Sequence, residues 1–152
     1  MGGVNTRREL RLRELECFRA RLASSFASDT AAPGWGEGPP SSGHCAAVSV
    51  IARSLFGGDY VSAMVNGQSH WFNRLVVDDR LVDADLTADQ FGYPSPRLAA
   101  PGELYAATRI RAVQEVKKET LLRAVTLAER ANVTRAVSML REELNRRSSE
   151  SE

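Results

Sequence analysis

The sequence predicts an α+β fold in which a cysteine-bearing helix packs on a small antiparallel sheet, with further helices before and after this core. Three observations predict it. Ala46, Val50, Ile51 and Leu55 recur at near-helical spacing directly after a loop rich in glycine and proline, and Gly57-Gly58 supplies a stop. Residues 59–65, 70–77 and 80–87 are rich in β-branched and aromatic side chains, and Asn66-Gly67 and Asp78-Asp79 separate them as turns. The two ends, about 6–26 and about 117–147, carry apolar stripes at helical period. With 152 residues, 43% of them hydrophobic and 26% charged, the chain suits a single domain, 1–152, with its core at about 33–115.

In chain order, residues 6–26 read as a helix whose stripe is Leu15, Phe18 and Leu22, flanked by Leu12. Cys17 lies off that stripe and reads as a partly buried bystander. Residues 27–43 hold three prolines and four glycines, all within 33–43, so neither helix nor strand persists there, and a structured loop of this length is usually functional. Trp35 within it is either a lid that stacks over a substrate or an anchor that pins the loop to the core. After the hairpin, residues 88–96 form a turn-rich exit from the sheet, and 108–116 form a strand or a strand-to-helix transition. Helices follow at roughly 117–130 and 133–147, where Asn132 either caps the second or the two run together. Residues 148–152 should fray.

The chemistry begins at Cys45. Backbone N–H groups at a helix start have no partners within the helix, and the helix dipole favours negative charge there, so a thiol at that point is drawn toward thiolate, the form that attacks carbonyls. The competing reading is a packed core cysteine. The hairpin decides whether Cys45 has partners. If its loop is the two residues Asp78-Asp79, then Val77 pairs with Arg80, Phe72 with Asp85 and His70 with Thr87, so that His70, Phe72, Asp83 and Asp85 share one face. His70 and Asp85 are then diagonal neighbours with Cβ atoms about 7 Å apart, within hydrogen-bonding reach. A three-residue loop would send Asp85 to the other face. For catalysis the His70 face must also look toward the start of the Cys45 helix.

A cysteine at a helix start, a histidine opening a strand and an aspartate on the next strand suit nucleophilic acyl transfer. Cys45 attacks, His70 holds the thiol proton and returns it to the leaving group, Asp85 fixes the imidazole, and the Cys45 N–H helps hold the oxyanion. Asp83 is the alternative orienter. The plainer readings are a satisfied core histidine at His70 and an Asx-type turn cap at Asp85.

The order Cys, His, Asp on a helix and then antiparallel strands resembles the papain-like and transglutaminase-like enzymes, including the NlpC/P60 branch. Gly43-His44-Cys45-Ala46, Leu55-Phe56-Gly57-Gly58, Ser69-His70-Trp71-Phe72-Asn73 and the run from Asp85 to Phe91 also resemble, over about 33–95, the YunG-like family of small bacterial proteins. That resemblance implies a papain-like cysteine-peptidase fold. The family's usual glutamine before the cysteine, an oxyanion donor, is His44 here; either side chain can donate a hydrogen bond, but a histidine also titrates. Asn73 and Gln90 match the family pattern and either serve a site or satisfy buried backbone groups.

Composition limits the alternatives. Two cysteines and two histidines space neither as a disulfide framework nor as a zinc site, so no metal and no cofactor are expected. No apolar run approaches membrane-spanning length, and Met1-Gly2 with Thr6 fits a myristoylation pattern only at the level of chance, so a cytoplasmic protein without a membrane partner is expected. Residues 1–25 hold six Arg against three Glu, and residues 108–152 hold ten Lys and Arg against seven Glu. Acidic residues interleave and no aromatic–basic pattern accompanies them, so solvated helices explain this better than nucleic-acid binding. Residues 26–107 hold four Arg against nine Asp and Glu, which disfavours an anionic substrate.

The expected function is cysteine-dependent acyl chemistry (amide or peptide hydrolysis, deamidation or acyl transfer) on a small-molecule or peptide substrate through a Cys45 thioester. The expected site is catalytic Cys45, His70 and Asp85, with His44, Trp35, Asn73 and Gln90 as oxyanion or substrate contacts. The alternative is a non-catalytic papain-like binding or scaffold protein. Substrate identity, the acceptor and the oligomeric state are not set by the sequence.

Overall fold

The sheet is laid out by two turns whose residues sit in the left-handed region. In a computed structural model, which describes residues 10–32, 39 and 41–150, Asn66 (φ 52) and Gly67 (φ 77) join β1 (Asp59–Val65) to β2 (Gln68–Val77). Asp78 (φ 49) and Asp79 (φ 66) join β2 to β3 (Arg80–Asp85). Positive φ at both central residues matches the twist of antiparallel strands, so each hairpin closes in two residues. The register follows: Val77 pairs with Arg80 and Asn73 with Ala84, which sets Phe72 opposite Asp85. Two three-residue strands, β4 (Arg97–Ala99) and β5 (Arg109–Arg111), complete an antiparallel sheet of order β4-β3-β2-β1-β5.

Among the described residues four α-helices accompany it: α1 (Leu12–Ala23), α2 (Cys45–Phe56), α3 (Lys118–Arg130) and α4 (Thr134–Glu150). The apolar face of α2, including Val48, Val50 and Ile51, packs with Leu75, Val77, Ala84 and Leu86 from one face of the sheet and with Leu121, Leu127 and Leu140 from α3 and α4. Gly57 and Gly58 end α2 at positive φ (71° and 82°), and a Cβ on Gly58 would lie 2.2 Å from the Arg74 carbonyl oxygen, so only glycine lets the chain turn there into β1. The opposite face carries a smaller cluster of Val61, Ala63, Phe72 and Leu104.

Several expectations change. The N-terminal helix starts later than residue 6, because the Leu10 N–H donates to the Val76 carbonyl and the Leu10 carbonyl accepts from Asp78 N–H, which holds that segment extended beside β2. Cys17 is exposed rather than partly buried. Residues 27–43 include a short 3-10 turn, Ser28–Thr30. Asn132 neither caps α4 nor lets the helices merge: it takes a left-handed conformation (φ 60) that ends α3, and Val133 N–H donates back to the Ala128 carbonyl. Helix α4 continues through Ser148 and Ser149, where fraying was expected. Among the described residues no helix is long and apolar enough to cross a membrane, and no group of three or more His, Cys, Asp or Glu is placed to hold a metal ion.

Candidate active site

Strand parity puts Trp71, Asn73 and Leu75 toward α2, and His70 and Phe72 on the other face. The His70 face therefore looks away from the body of α2. The first residue of that helix nevertheless reaches it, since Cys45 and His70 line one cavity of about 680 Å³ together with Trp71, Gln90 and Phe91. The Cys45 N–H and Ala46 N–H, at the helix start, make no hydrogen bond among the described residues.

His70 is 2% exposed and its Nε2–H donates to Asp85 Oδ2 at 2.7 Å. Burial pulls the ring's pKa down. The Asp85 hydrogen bond, the neighbouring Cys45 thiol and the Asp85 charge outweigh it, and the balance lies at about 9. The ring is thus an imidazolium at neutral pH, and with Nε2 held by Asp85, Nδ1 is the nitrogen left for the thiol. Phe91 meets the ring edge-on at 4.7 Å between centroids, and Tyr105 does so at 5.7 Å.

Asp85, 0% exposed, is fully engaged. Besides His70, its Oδ2 accepts the Tyr105 hydroxyl at 2.5 Å, while Oδ1 accepts the Thr87 N–H at 3.0 Å and the Thr87 hydroxyl at 3.3 Å. Asp85 thus holds a ring and caps a turn at once. Gln90 Nε2–H in turn donates to Thr87 Oγ1 at 3.0 Å, which ties a cavity wall to the carboxylate. Burial first, then the hydrogen bond to Asp85, raises the Tyr105 pKa, so this phenol stays a donor.

The other candidates divide. Asp83 is withdrawn from the role of orienter: it accepts Arg74 Nε–H at 2.7 Å, Arg74 Nη2–H at 3.2 Å and the Gly102 N–H at 2.8 Å. His44 turns inward rather than into the cavity. It is 0% exposed, its Nδ1–H donates to the Ser42 carbonyl at 3.0 Å, its Nε2 lies in hydrogen-bonding contact with the Thr30 hydroxyl at 2.7 Å, and its ring stacks on Phe26. The carbonyl can only accept, which fixes that tautomer. Burial is the main reason its pKa is lowered, so the ring is neutral and its nitrogens are occupied. Asn73 Nδ2–H donates to the Ser49 carbonyl at 2.9 Å, joining β2 to α2, while its Oδ1 is buried without a partner. Trp35 lies outside the described residues. Tyr105, which sequence reasoning missed, sits in a loop between β4 and β5 with no local pattern to mark it.

Fold and site together define an α+β protein with a half-buried cysteine at a helix start, beside a histidine oriented by a buried carboxylate. The chain matches the family described as YunG protein over residues 14–131, most of its length, and belongs to that family. No curated protein and no solved structure matches it significantly.

Proposed function

We propose that the protein performs cysteine-dependent acyl chemistry on a small amide or peptide-like substrate, with Cys45 as nucleophile, His70 as proton carrier, Asp85 as orienter and a papain-like arrangement of the core. The observation that supports it most is the buried 2.7 Å bond from His70 to Asp85, next to a cavity shared with Cys45. A cationic ring beside a thiol favours the thiolate. The thiolate attacks the substrate carbonyl, and the Cys45 and Ala46 N–H groups face the developing oxyanion. As the C–N bond breaks, the imidazolium gives its proton to the leaving amine, which leaves a Cys45 thioester and a neutral ring. The ring then takes a proton from water or another acceptor as it attacks the thioester, and thiolate and imidazolium are restored.

The test is alkylation by iodoacetamide at pH 7 with mass-spectrometric mapping. Cys17 is exposed and Cys45 half-buried, so accessibility alone favours Cys17. Faster labelling of Cys45, slowed tenfold or more (about 1.4 kcal/mol or more) in His70→Ala, is expected; equal and sluggish labelling of both cysteines defeats the proposal. A second reading, a binding protein without turnover, draws on the inward His44, which leaves backbone groups as the nearby oxyanion donors. Cys45→Ser separates the two, since an enzyme loses turnover and a binding protein keeps its cellular activity.

A further inference from the structure

The cavity that holds Cys45 and His70 has no carboxylate among its described lining residues, and one cation from a distant part of the chain reaches into it. That cation is Arg123, from the first half of α3. Its Nη2–H donates to Thr120 Oγ1 at 3.2 Å, but its Nε–H is buried with no partner. The contrast with other arginines of the C-terminal helices is plain: Arg130 pairs with Asp29, Arg141 with Glu129, and Arg147 with Glu143. No such ion pair is found for Arg123 among the described residues. The same side chain also lines an adjoining cavity of about 400 Å³, which shares Ala46 and Trp71 with the first. There Glu115 is already paired with Arg111 at 2.8 Å, and Lys117 adds a second cation, while Glu119 stands exposed at the rim.

A half-buried guanidinium with no carboxylate partner, lining a ligand-sized space whose described wall holds no acid, is the arrangement that captures a carboxylate. The acidic excess of residues 26–107 pointed away from anionic substrates. Locally the picture differs, because Asp83 pairs with Arg74, Asp85 with His70 and Asp89 with Arg19, and none of the three aspartates lines the cavity. Resting on the acyl chemistry proposed above, we infer that Arg123 is the specificity-determining residue and that the substrate is a small amide bearing a free carboxylate, which Arg123 binds.

The test is binding, kept separate from turnover by using the Cys45→Ala protein. N-acetyl-alanyl-alanine, N-acetylglutamate α-amide and the fully neutral N-acetyl-alanyl-alanine amide are titrated in low-salt buffer, with perturbation of the Trp71 indole NMR signal as the readout. At least one acid should bind about tenfold or more tightly than the neutral amide. Which acid does so distinguishes a C-terminal from a side-chain carboxylate. Arg123→Gln should bring that acid to the level of the amide, and Arg123→Lys should restore part of the difference. Equal binding of acids and amide, no saturable binding of either acid to 10 mM, or a preference that survives Arg123→Gln overturns the inference. Iodoacetamide reactivity of Cys45 in the otherwise unchanged protein reports on the acyl chemistry alone, so the two failures are distinguishable.

Discussion

Replacing Asp85 with asparagine keeps the side chain's shape and removes its charge, which isolates what the carboxylate does for His70. The ring's pKa lies at about 9 rather than the ordinary 6.5, and at about 1.36 kcal/mol per pH unit this corresponds to about 3 kcal/mol of net stabilisation of the charged ring. Because His70 is 2% exposed, little of that is lost to solvent screening. The folded-state pKa is raised, so the contribution is fully present below pH 6.5 and is lost as pH rises through about 9. In Asp85→Asn burial remains without the carboxylate, so His70 should titrate well below 9. Urea unfolding at pH 6.5, 7.5 and 9, taken as the difference between the two proteins to remove other alkaline titrations, should show the parent losing up to about 3 kcal/mol more across that range. Histidine ring NMR should place the two pKa values directly. An unchanged difference across the range, or a His70 of the parent titrating near 6.5, refutes the reasoning.

Three further outcomes follow from the turns and the inward histidine. Asp79→Gly relieves a left-handed aspartate (φ 66) and should raise stability by up to about 1 kcal/mol, seen as a thermal midpoint a few degrees higher; a lower midpoint would show that the Asp79 side chain contributes more than its backbone strain costs. One residue inserted after Asp79 flips β3, turning Ala84 and Leu86 out and Asp83 and Asp85 into the main core, so a cooperative unfolding transition should disappear; retention of one would mean a bulge absorbs the insertion. His44→Ala strips partners from Thr30 and the Ser42 carbonyl and empties core volume, costing about 2–4 kcal/mol in denaturant unfolding. Cys45 alkylation in the folded variant should stay within about threefold, and its collapse would return His44 to the site.

How much could be read beforehand depended on whether the signal was local. The Cys45 helix, the Asn66-Gly67 turn and the two-residue Asp78-Asp79 turn rest on chain-local spacing, and the parity that joins His70 to Asp85 follows from them. Strands β4 and β5 are too short to show a period, and Leu10 is extended because of what β2 offers it rather than its own propensity. His44 was misplaced because position before the cysteine suggests a cavity-facing donor, whereas a backbone at φ −102, ψ −2 leads its ring to Thr30 and Phe26. Tyr105 and Arg123 were invisible for a related reason: each reaches the site across tertiary contacts, and within its own segment one is a loop aromatic and the other an ordinary helix charge.

The Tyr105 bond to Asp85 ties the surroundings of His70 to the edges of the sheet. The segment carrying Tyr105 lies between β4 and β5, the two outermost strands, one on either edge of the sheet. Asp85 is therefore sealed, and His70 raised in basicity by a buried carboxylate, only after the chain has spanned the sheet from one edge to the other. A chain that has formed its central hairpins but not its edges leaves His70 and Asp85 more open to water, where the ring is largely neutral at pH 7. The protonation of a single imidazole thus depends on closure of the sheet as well as on the hairpin that carries it.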